Sequence, residues 1–225
     1  MSAPPAPPAS APPAAALPPV VIVGAGGHAK VIVELIRAEG RYHPVGCTDS
    51  GAAAGGVLGL PWLGTDEALP ALRAQGVRHA FVALGGNALR LKVARAVEAL
   101  GFELVNALSP RAVLSPSARI GRGVAVMAGA VVNAEASVGD LAIINTNASV
   151  DHDCVIGEAA HVAPGCALAG NVRVGALAFL GAGTAVIPGI TIGEGATVGA
   201  GAAVVRDVAA KTVAVGVPAR PLVAR

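Results

Sequence analysis

Residues 138–162 read VGDLAIINTNASVDHDCVIGEAAHV, and an aliphatic residue occupies every sixth position of this stretch. A spacing of six is produced neither by a helix, with its period of 3.6, nor by a flat strand, with its period of two. The repeat therefore indicates an architecture of its own. The register extends without a break over sixteen positions: Leu114, Ile120, Val126, Val132, Val138, Ile144, Val150, Ile156, Val162, Leu168, Val174, Leu180, Val186, Ile192, Val198 and Val204.

A second period of eighteen residues lies on top of the first. It is marked by the dipeptides Ile120-Gly121, Val138-Gly139, Ile156-Gly157, Val174-Gly175 and Ile192-Gly193. Three hexads then form one coil of a three-sided parallel β-helix, and each coil stacks on the last at strand spacing, which predicts about five coils and a prism of roughly 25 Å. Small residues four places after each aliphatic one complete the interior. Two of these are Cys154 and Cys166, whose thiols we expect to be buried, reduced and inert.

Composition narrows the class of protein. The chain has 225 residues, enough for two modest domains, with 13 % charged residues, 2 % aromatic residues and a net charge of +2. No basic patch interleaved with aromatic residues is present, so nucleic acid is not an expected partner. A hydropathy profile would flag the uncharged residues 174–193 as a membrane span, but their glycines and unbroken register favour a β-helix coil. The N-terminus lacks signal-peptide features, so we expect a cytoplasmic protein without a membrane partner.

The sequence divides into four segments. Short apolar strands alternate with amphipathic helices ahead of the repeat, which predicts a small Rossmann-like α/β domain followed by the all-β prism. Ser109-Pro110 marks the predicted junction. The segments are a disordered Pro/Ala-rich tail (1–18), the α/β domain (19–108), the β-helix (109–209) and a C-terminal extension (210–225).

A glycine-rich turn follows the first predicted strand. Residues 24–29 read GAGGHA, and a turn of this kind at the start of a helix points backbone N–H groups at a phosphate. With Asp49 downstream, the pattern also fits a dinucleotide-binding dehydrogenase. About ninety residues supply only half of such a fold, so we predict a nucleotide pocket of another kind. His28 is placed either to bind a phosphate or to face solvent, and the sequence leaves both possibilities open.

Two histidines of the repeat are candidates for chemistry. His152 comes two residues after inward Val150, near a prism corner, where it can accept a proton and Asp153 can orient it. His161 precedes inward Val162 and also points outward. Nine residues separate the two histidines, which is half a coil, so they project from different sides of one prism. We therefore expect them to meet only across a subunit interface.

Five motifs together resemble a known family: GAGGH at 24–28, NTNASVDHDCVIG at 145–157, His161, AGN at 169–171 and GVPAR at 216–220. From about residue 20 to its end, the chain resembles the bacterial sugar acetyltransferases of the sialic-acid O-acetyltransferase type. Within that type its pattern is nearest to the N-acetyltransferases of nucleotide-linked 4-amino-4,6-dideoxy sugars. The resemblance implies a left-handed β-helix, a homotrimer, acetyl-CoA as donor, and active sites between neighbouring prisms. No metal is expected, because the sequence contains no cluster of metal ligands.

The resemblance also implies roles for single residues. His152 matches the catalytic histidine and Asp153 its acidic partner, while His161 and Gly170 match contacts to acetyl-CoA. A sugar amine would attack the thioester directly, with His152 accepting its proton. Further contacts to acetyl-CoA are implied at Ala182 and Ala200, and contacts to the sugar nucleotide at Gly27, His28, Ala29, Asp49, Ser50 and Gly85.

Other functions remain open at this stage. The same scaffold and donor would serve a sialic-acid or other sugar O-acetyltransferase, and the nucleotide of the sugar substrate can be UDP, GDP or dTDP. A carbonic-anhydrase-like β-helix would need three suitably spaced histidines, whereas the coils hold only His152 and His161. Serine acetyltransferases carry a helical N-terminal domain, which this chain does not predict.

Overall fold

The computed structural model describes residues 17–51 and 56–222. The Pro/Ala-rich tail predicted for residues 1–18 falls almost wholly outside the described residues. Within the described ranges, no helix has the length and apolar character needed to cross a membrane.

The N-terminal domain is a four-stranded parallel sheet with flanking helices. The strand order is β2-β1-β3-β4, so β1 and β3 are neighbours at its centre. The turns that follow β1 and β3 consequently meet at one edge of the sheet, the usual place for a ligand in such folds. In chain order the elements are β1 (Pro19–Val23), α1 (Gly27–Glu39), β2 (His43–Thr48), a 3-10 helix (Asp66–Ala68), α2 (Leu69–Ala74), β3 (His79–Val82), α3 (Asn87–Ala99) and β4 (Glu103–Leu104).

The rest of the chain is a parallel β-solenoid of about 6 turns, of the left-handed type. The α/β domain followed by a β-helix is therefore confirmed, with about one coil more than predicted. Its strands are β5 (Ala107–Leu108), β6 (Val113–Leu114), β7 (Arg119–Ile120), β8 (Ala125–Val126), β9 (Val131–Val132), β10 (Ser137–Val138), β11 (Ile143–Ile144), β12 (Ser149–Val150), β13 (Val155–Ile156), β14 (His161–Val162), β15 (Ala167–Leu168), β16 (Arg173–Val174), β17 (Phe179–Leu180), β18 (Ala185–Val186), β19 (Thr191–Ile192), β20 (Thr197–Val198), β21 (Ala203–Val204), β22 (Val213–Val215) and β23 (Arg220–Pro221).

Three sheets form the sides of the prism. We call them the domain-facing sheet (β5, β8, β11, β14, β17, β20, β22, β23), the groove sheet (β6, β9, β12, β15, β18, β21) and the third sheet (β7, β10, β13, β16, β19). The domain-facing sheet begins at β5, just before Ser109, and continues to β22, past residue 209. The solenoid therefore extends a few residues beyond both boundaries that the sequence predicted.

The interior of the solenoid is narrow and filled by the six-residue register. From Val126 to Val204 every aliphatic position of the series is buried, and Leu114 and Ile120 are half-buried and pack against this core. Glycine is required where coils approach closely at the corners between the third and domain-facing sheets. A Cβ on Gly139 would lie 2.9 Å from the backbone nitrogen of Glu158, and one on Gly175 would lie 2.5 Å from that of Glu194. The Val-Gly and Ile-Gly dipeptides thus mark these corners.

The N-terminal domain packs directly against the solenoid. Helix α1 shares an apolar cluster with Ala125 and Ile143 of the domain-facing sheet. Residues of α3 share another cluster with Leu141 and Ala159, at the corner that joins the third sheet to the domain-facing sheet. This contact brings the ligand edge of the small sheet close to the coil that carries His161.

Candidate active site

His152 and Asp153 form a hydrogen-bonded pair at a corner of the prism, between β12 and β13. The His152 Nδ1 and Asp153 Oδ2 atoms are 2.7 Å apart, and the two side chains are 55 % and 52 % exposed. The hydrogen bond to Asp153 raises the pKa of the His152 imidazole, and the charges of Asp151 and Asp153 raise it further. Because Nδ1 is engaged, Nε2 is the nitrogen that can take a proton from a substrate.

Two residues that the sequence did not single out fix the backbone of His152. The Asp151 Oδ1 atom accepts hydrogen bonds from the His152 N–H at 2.7 Å and from the Asn133 side-chain amide at 2.9 Å. These bonds lower the pKa of the Asp151 carboxyl, so it stays ionised beside the imidazole. The spacing of eighteen residues between Asn133 and Asp151 placed them in successive coils, and that signal could have identified the pair.

Gly170 leaves room for the imidazole. It lies one coil above His152, and the His152 carbonyl accepts a hydrogen bond from the neighbouring Asn171 N–H. A Cβ at Gly170 would come within 2.5 Å of both the Cε1 and Nε2 atoms of His152. The ring therefore rests on a backbone that only glycine leaves open.

His161 lies on the domain-facing sheet and points away from the prism interior, as predicted. The N-terminal domain covers it, however, so that only 9 % of the residue is exposed. Its Nε2 atom is 3.0 Å from the Asn145 side-chain amide nitrogen, and its ring packs edge-on against Phe179. Burial, followed by the positive charge of Arg90, lowers the pKa of His161 to about 4.

The tautomer of His161 follows from the orientation of Asn145. The Asn145 Oδ1 atom accepts from the Thr146 N–H at 2.8 Å, which turns the amide nitrogen towards His161. Nε2 of the neutral ring then accepts, and Nδ1 carries the proton. Within the described residues this buried Nδ1 atom has no hydrogen-bond partner. A neutral donor thus faces the backbone of Gly85 in the N-terminal domain.

The glycine-rich turn is closed by a carboxylate. Asp49 accepts hydrogen bonds from the Ala25 N–H and the Gly51 N–H, both at 2.7 Å. The sequence predicted Asp49 as a ligand contact, and the structure places it against the turn with both oxygens engaged. Ser50, the next residue, is exposed.

Three further candidates of the turn occupy different environments. A Cβ on Gly27 would meet no atom within 4 Å, so this position opens onto free space. The Ala29 side chain is fully buried, and its N–H donates to the Gly26 carbonyl at 3.1 Å. His28 does not face solvent: burial and then the charge of Arg90 lower its pKa to about 4, and its buried Nε2 atom has no partner among the described residues. Gly85, after β3, is exposed at the same edge.

Ala182 and Ala200 stack on successive coils at the corner between the domain-facing and groove sheets, and both are exposed. The Ala182 carbonyl accepts a hydrogen bond from the Gly201 N–H at 2.8 Å. The groove sheet separates this corner from His152 and carries a shallow groove of about 450 Å³, lined mainly by small and aliphatic residues such as Ala167 and Ala185. The structure therefore does not bring Ala182 and Ala200 to the same corner as His152 within one chain.

Comparison with known proteins identifies the family. Residues 19–97 match the PglD N-terminal domain. PerB from Caulobacter crescentus, solved with CoA and GDP-perosamine, is 54% identical over 92% of this chain and 98% of its own, with a TM-score of 0.88. The chain belongs to the hexapeptide-repeat N-acetyltransferases of nucleotide-linked amino sugars.

Two other solved structures resemble this N-acetyltransferase. The acetyltransferase domain of PglB from Neisseria gonorrhoeae, solved with acetyl coenzyme A, is 40% identical over 92% of this chain and 100% of its own, with a TM-score of 0.87. WeeI from Acinetobacter baumannii is 26% identical over 90% of this chain and 99% of its own, with a TM-score of 0.80. A search of curated proteins found no match. The predicted family and the N-acetyltransferase activity are confirmed.

The side chains that could bind a metal are scattered over the described part of the N-acetyltransferase. Within residues 17–51 and 56–222, no cluster of three or more His, Cys, Asp or Glu side chains is arranged to hold one. Cys154 and Cys166 are buried in the solenoid, and burial raises the pKa of both thiols. His152 and Asp153, by contrast, are about half exposed at their corner of the prism.

Proposed function

We propose that the enzyme transfers the acetyl group of acetyl-CoA to the amine of a GDP-linked amino sugar, with GDP-perosamine as the first compound to test. The observation that carries the proposal is the exposed His152–Asp153 pair, a base oriented by a carboxylate in a chain 54% identical to PerB. The sequence alone left UDP, GDP and dTDP open. PerB supports GDP because its structure contains GDP-perosamine.

The proposed reaction is one direct transfer. The sugar nitrogen attacks the thioester carbonyl, the new C–N bond forms, the C–S bond breaks, and CoA leaves as its thiolate. His152 Nε2 takes the proton lost by the nitrogen, and Asp153 stabilises the imidazolium through Nδ1. A backbone N–H or the neutral His161 donor stabilises the oxyanion.

We further propose that the sites lie between the subunits of a homotrimer. His152 occupies a corner of the groove sheet, whereas His161 lies under the N-terminal domain on another sheet. A complete site then combines His152 and Asp153 of one chain with residues of its neighbour. The proposed contacts to acetyl-CoA are His161, Gly170, Ala182 and Ala200, and those to the sugar nucleotide are Gly27, His28, Ala29, Asp49, Ser50 and Gly85.

The cytoplasm is our proposed location, because both substrates are highly charged and do not cross a bilayer unaided. The deciding experiment measures CoA release with GDP-, UDP- and dTDP-linked 4-amino sugars, and mass spectrometry identifies the product. We expect the highest kcat/KM with the GDP sugar. A matched analogue with a hydroxyl in place of the amine separates N- from O-acetylation. Faster turnover of that analogue would contradict the proposal.

A further inference from the structure

Arg90, on α3, is the largest fully buried side chain of the protein's described residues, with 1 % of the residue exposed. All five of its guanidinium N–H groups are engaged, which is the full donor capacity of this side chain. The acceptors are the carbonyls of Leu84 (3.0 Å), Gly85 (3.1 Å), Leu141 (2.8 Å) and Ala159 (2.8 Å), and the Asn87 Oδ1 atom (3.0 Å).

These acceptors belong to two different parts of the protein. Leu84 and Gly85 lie in the turn after β3, where we propose that the sugar nucleotide binds. Leu141 and Ala159 occupy the same corner position in two successive coils, and Leu177 occupies it in the third. The Asn87 side-chain amide nitrogen donates to the Leu177 carbonyl at 3.0 Å. Arg90 and Asn87 thus attach the turn to three consecutive coils.

The charge of Arg90 is not balanced by a carboxylate. None of the ion pairs within residues 17–51 and 56–222 includes it. Burial lowers the Arg90 pKa to about 10, so the group remains charged at neutral pH. The same charge contributes to the low pKa values of His28 and His161. A buried cation therefore acts on both histidines beside the turns that follow β1 and β3.

We propose that Arg90 is a positioning residue of the nucleotide-sugar site, which holds the turn at residues 84–87 against the coil of His161 and attracts the substrate diphosphate. This inference rests on the proposed function. Backbone carbonyl groups accept all the hydrogen bonds that Arg90 donates apart from the one to Asn87, but they leave its net positive charge uncompensated. That charge would therefore stabilise an anion bound at the neighbouring turns. Of the proposed acetyl-CoA contacts only His161 adjoins Arg90, while Gly170, Ala182 and Ala200 lie at other corners of the prism, so the binding of acetyl-CoA should be less affected.

The test compares Arg90→Gln and Arg90→Lys with Arg95→Gln. Arg95 is a matched control because it lies on the same helix and pairs with Glu158 across the same interface at 3.6 Å, but is exposed. We expect Arg90→Gln to raise the KM for the nucleotide sugar at least tenfold, with the KM for acetyl-CoA within twofold. Arg90→Lys keeps the charge but has fewer hydrogen-bond donors, so its KM for the nucleotide sugar should lie between those of wild type and Arg90→Gln. Arg95→Gln should match wild type.

Asn87→Ala is the second variant, because loss of a buried arginine can prevent folding. It removes the bonds to the third coil and one acceptor of Arg90, and it should raise only the nucleotide-sugar KM, by a smaller factor. Equal increases of both KM values in the folded variants, or an unchanged nucleotide-sugar KM, would overturn the inference.

A measurement without substrate separates this inference from the proposed function. The chain has five histidines, so NMR can follow each titration. In Arg90→Gln the pKa values of His28 and His161 should rise towards 6.5, while that of His152 stays constant. Constant values for His28 and His161 would argue against Arg90 whatever the sugar is. Failure of the wild type to acetylate any nucleotide sugar would instead refute the function.

Discussion

His152 is more basic than an ordinary histidine because it combines exposure with a carboxylate partner. The hydrogen bond to Asp153 outweighs the opposing effect of desolvation on the imidazole, so it decides the direction of the pKa shift. A raised pKa makes the neutral ring a stronger proton acceptor, but it also leaves more of the ring protonated near neutral pH. The activity should therefore show an acidic limb above pH 6.5.

The first prediction concerns this limb. His152→Ala should lower kcat by about 10²- to 10⁴-fold with little change in either KM. Asp153→Asn should lower kcat by a smaller factor. It should also move the acidic limb of kcat/KM to lower pH, because the hydrogen bond to a carboxylate that raises the pKa of His152 is lost. The measurement is the pH profile of wild type, Asp153→Asn and His152→Asn. A rate loss under tenfold in His152→Asn, with an unchanged limb, would show that His152 only holds the amine.

The second prediction concerns the space above the imidazole. Gly170→Ala adds a methyl group where the ring of His152 now lies, and the ring can rotate away because it is the exposed end of a side chain. We expect kcat to fall at least tenfold while the melting temperature changes little. If Gly170→Ala kept the activity of the wild type, the His152 ring would not have to rest on this backbone.

Single residues also show where sequence reasoning stops. The positions of His152 and Asp153 followed from the six-residue register, since a register fixes which side chains point outward. The burial of His161 did not follow, because it depends on how another domain packs against that sheet. Arg90 gave no signal at all: in an amphipathic helix an arginine is expected at the surface. Its role depends on carbonyls of coils 51 and 69 residues away.

At the scale of elements, the repeat predicted nearly every strand of the solenoid, because each coil satisfies the same backbone pairing with its neighbours. The alternation of strands and helices in the small domain was also predicted. The segment between β2 and β3 was not, since the 3-10 helix and α2 there are short and carry no clear period. The junction predicted at Ser109-Pro110 comes just after β5, which already pairs with β8 of the solenoid.

The third prediction concerns the turn between β1 and α1. Gly27 opens onto free space, so Gly27→Val should fold normally and crowd only a bound phosphate. We expect a higher KM for the nucleotide sugar and an almost unchanged KM for acetyl-CoA. Steady-state kinetics with each substrate varied provides the measurement. An equal increase in the KM for both substrates would indicate misfolding. Micromolar binding of NAD would contradict the proposal that this turn binds the sugar nucleotide.

At the scale of the whole molecule, acid should loosen the contact between the two domains. His28 and His161 have pKa values of about 4 in the folded protein and about 6.5 when unfolded. Between these values the unfolded chain binds more protons, so stability falls as the pH decreases from 6.5 towards 4. The maximum slope is about 1.4 kcal/mol per pH unit for each histidine.

The fourth prediction follows from that slope. Between pH 7 and pH 5 the melting temperature of the wild type should fall more steeply than that of His28→Gln or His161→Gln. His43→Gln is the control, because His43 is exposed and should leave the slope unchanged. Identical slopes in all four proteins would show that His28 and His161 do not govern the acid response.

The fifth prediction tests the shared site. Chains with His152→Ala and chains with His161→Ala should each be strongly impaired alone and should recover part of the activity when co-expressed, because mixed trimers contain some intact sites. Light scattering and differential tags would establish the trimer and its mixed composition. Mixed trimers without activity would place both histidines in one chain's site.

The glycine corners of the prism also limit how such a gene can change in length. Since a Cβ at Gly175 would lie 2.5 Å from the backbone of the next coil, each corner glycine must stay aligned with the residues eighteen places on. Gain or loss of one complete coil beyond Ala200 preserves that alignment, whereas a shorter insertion within a strand would shift the corner glycines out of it. Descendants of this gene should therefore differ by whole coils at the far end, and keep a constant number of residues between Arg90 and His152.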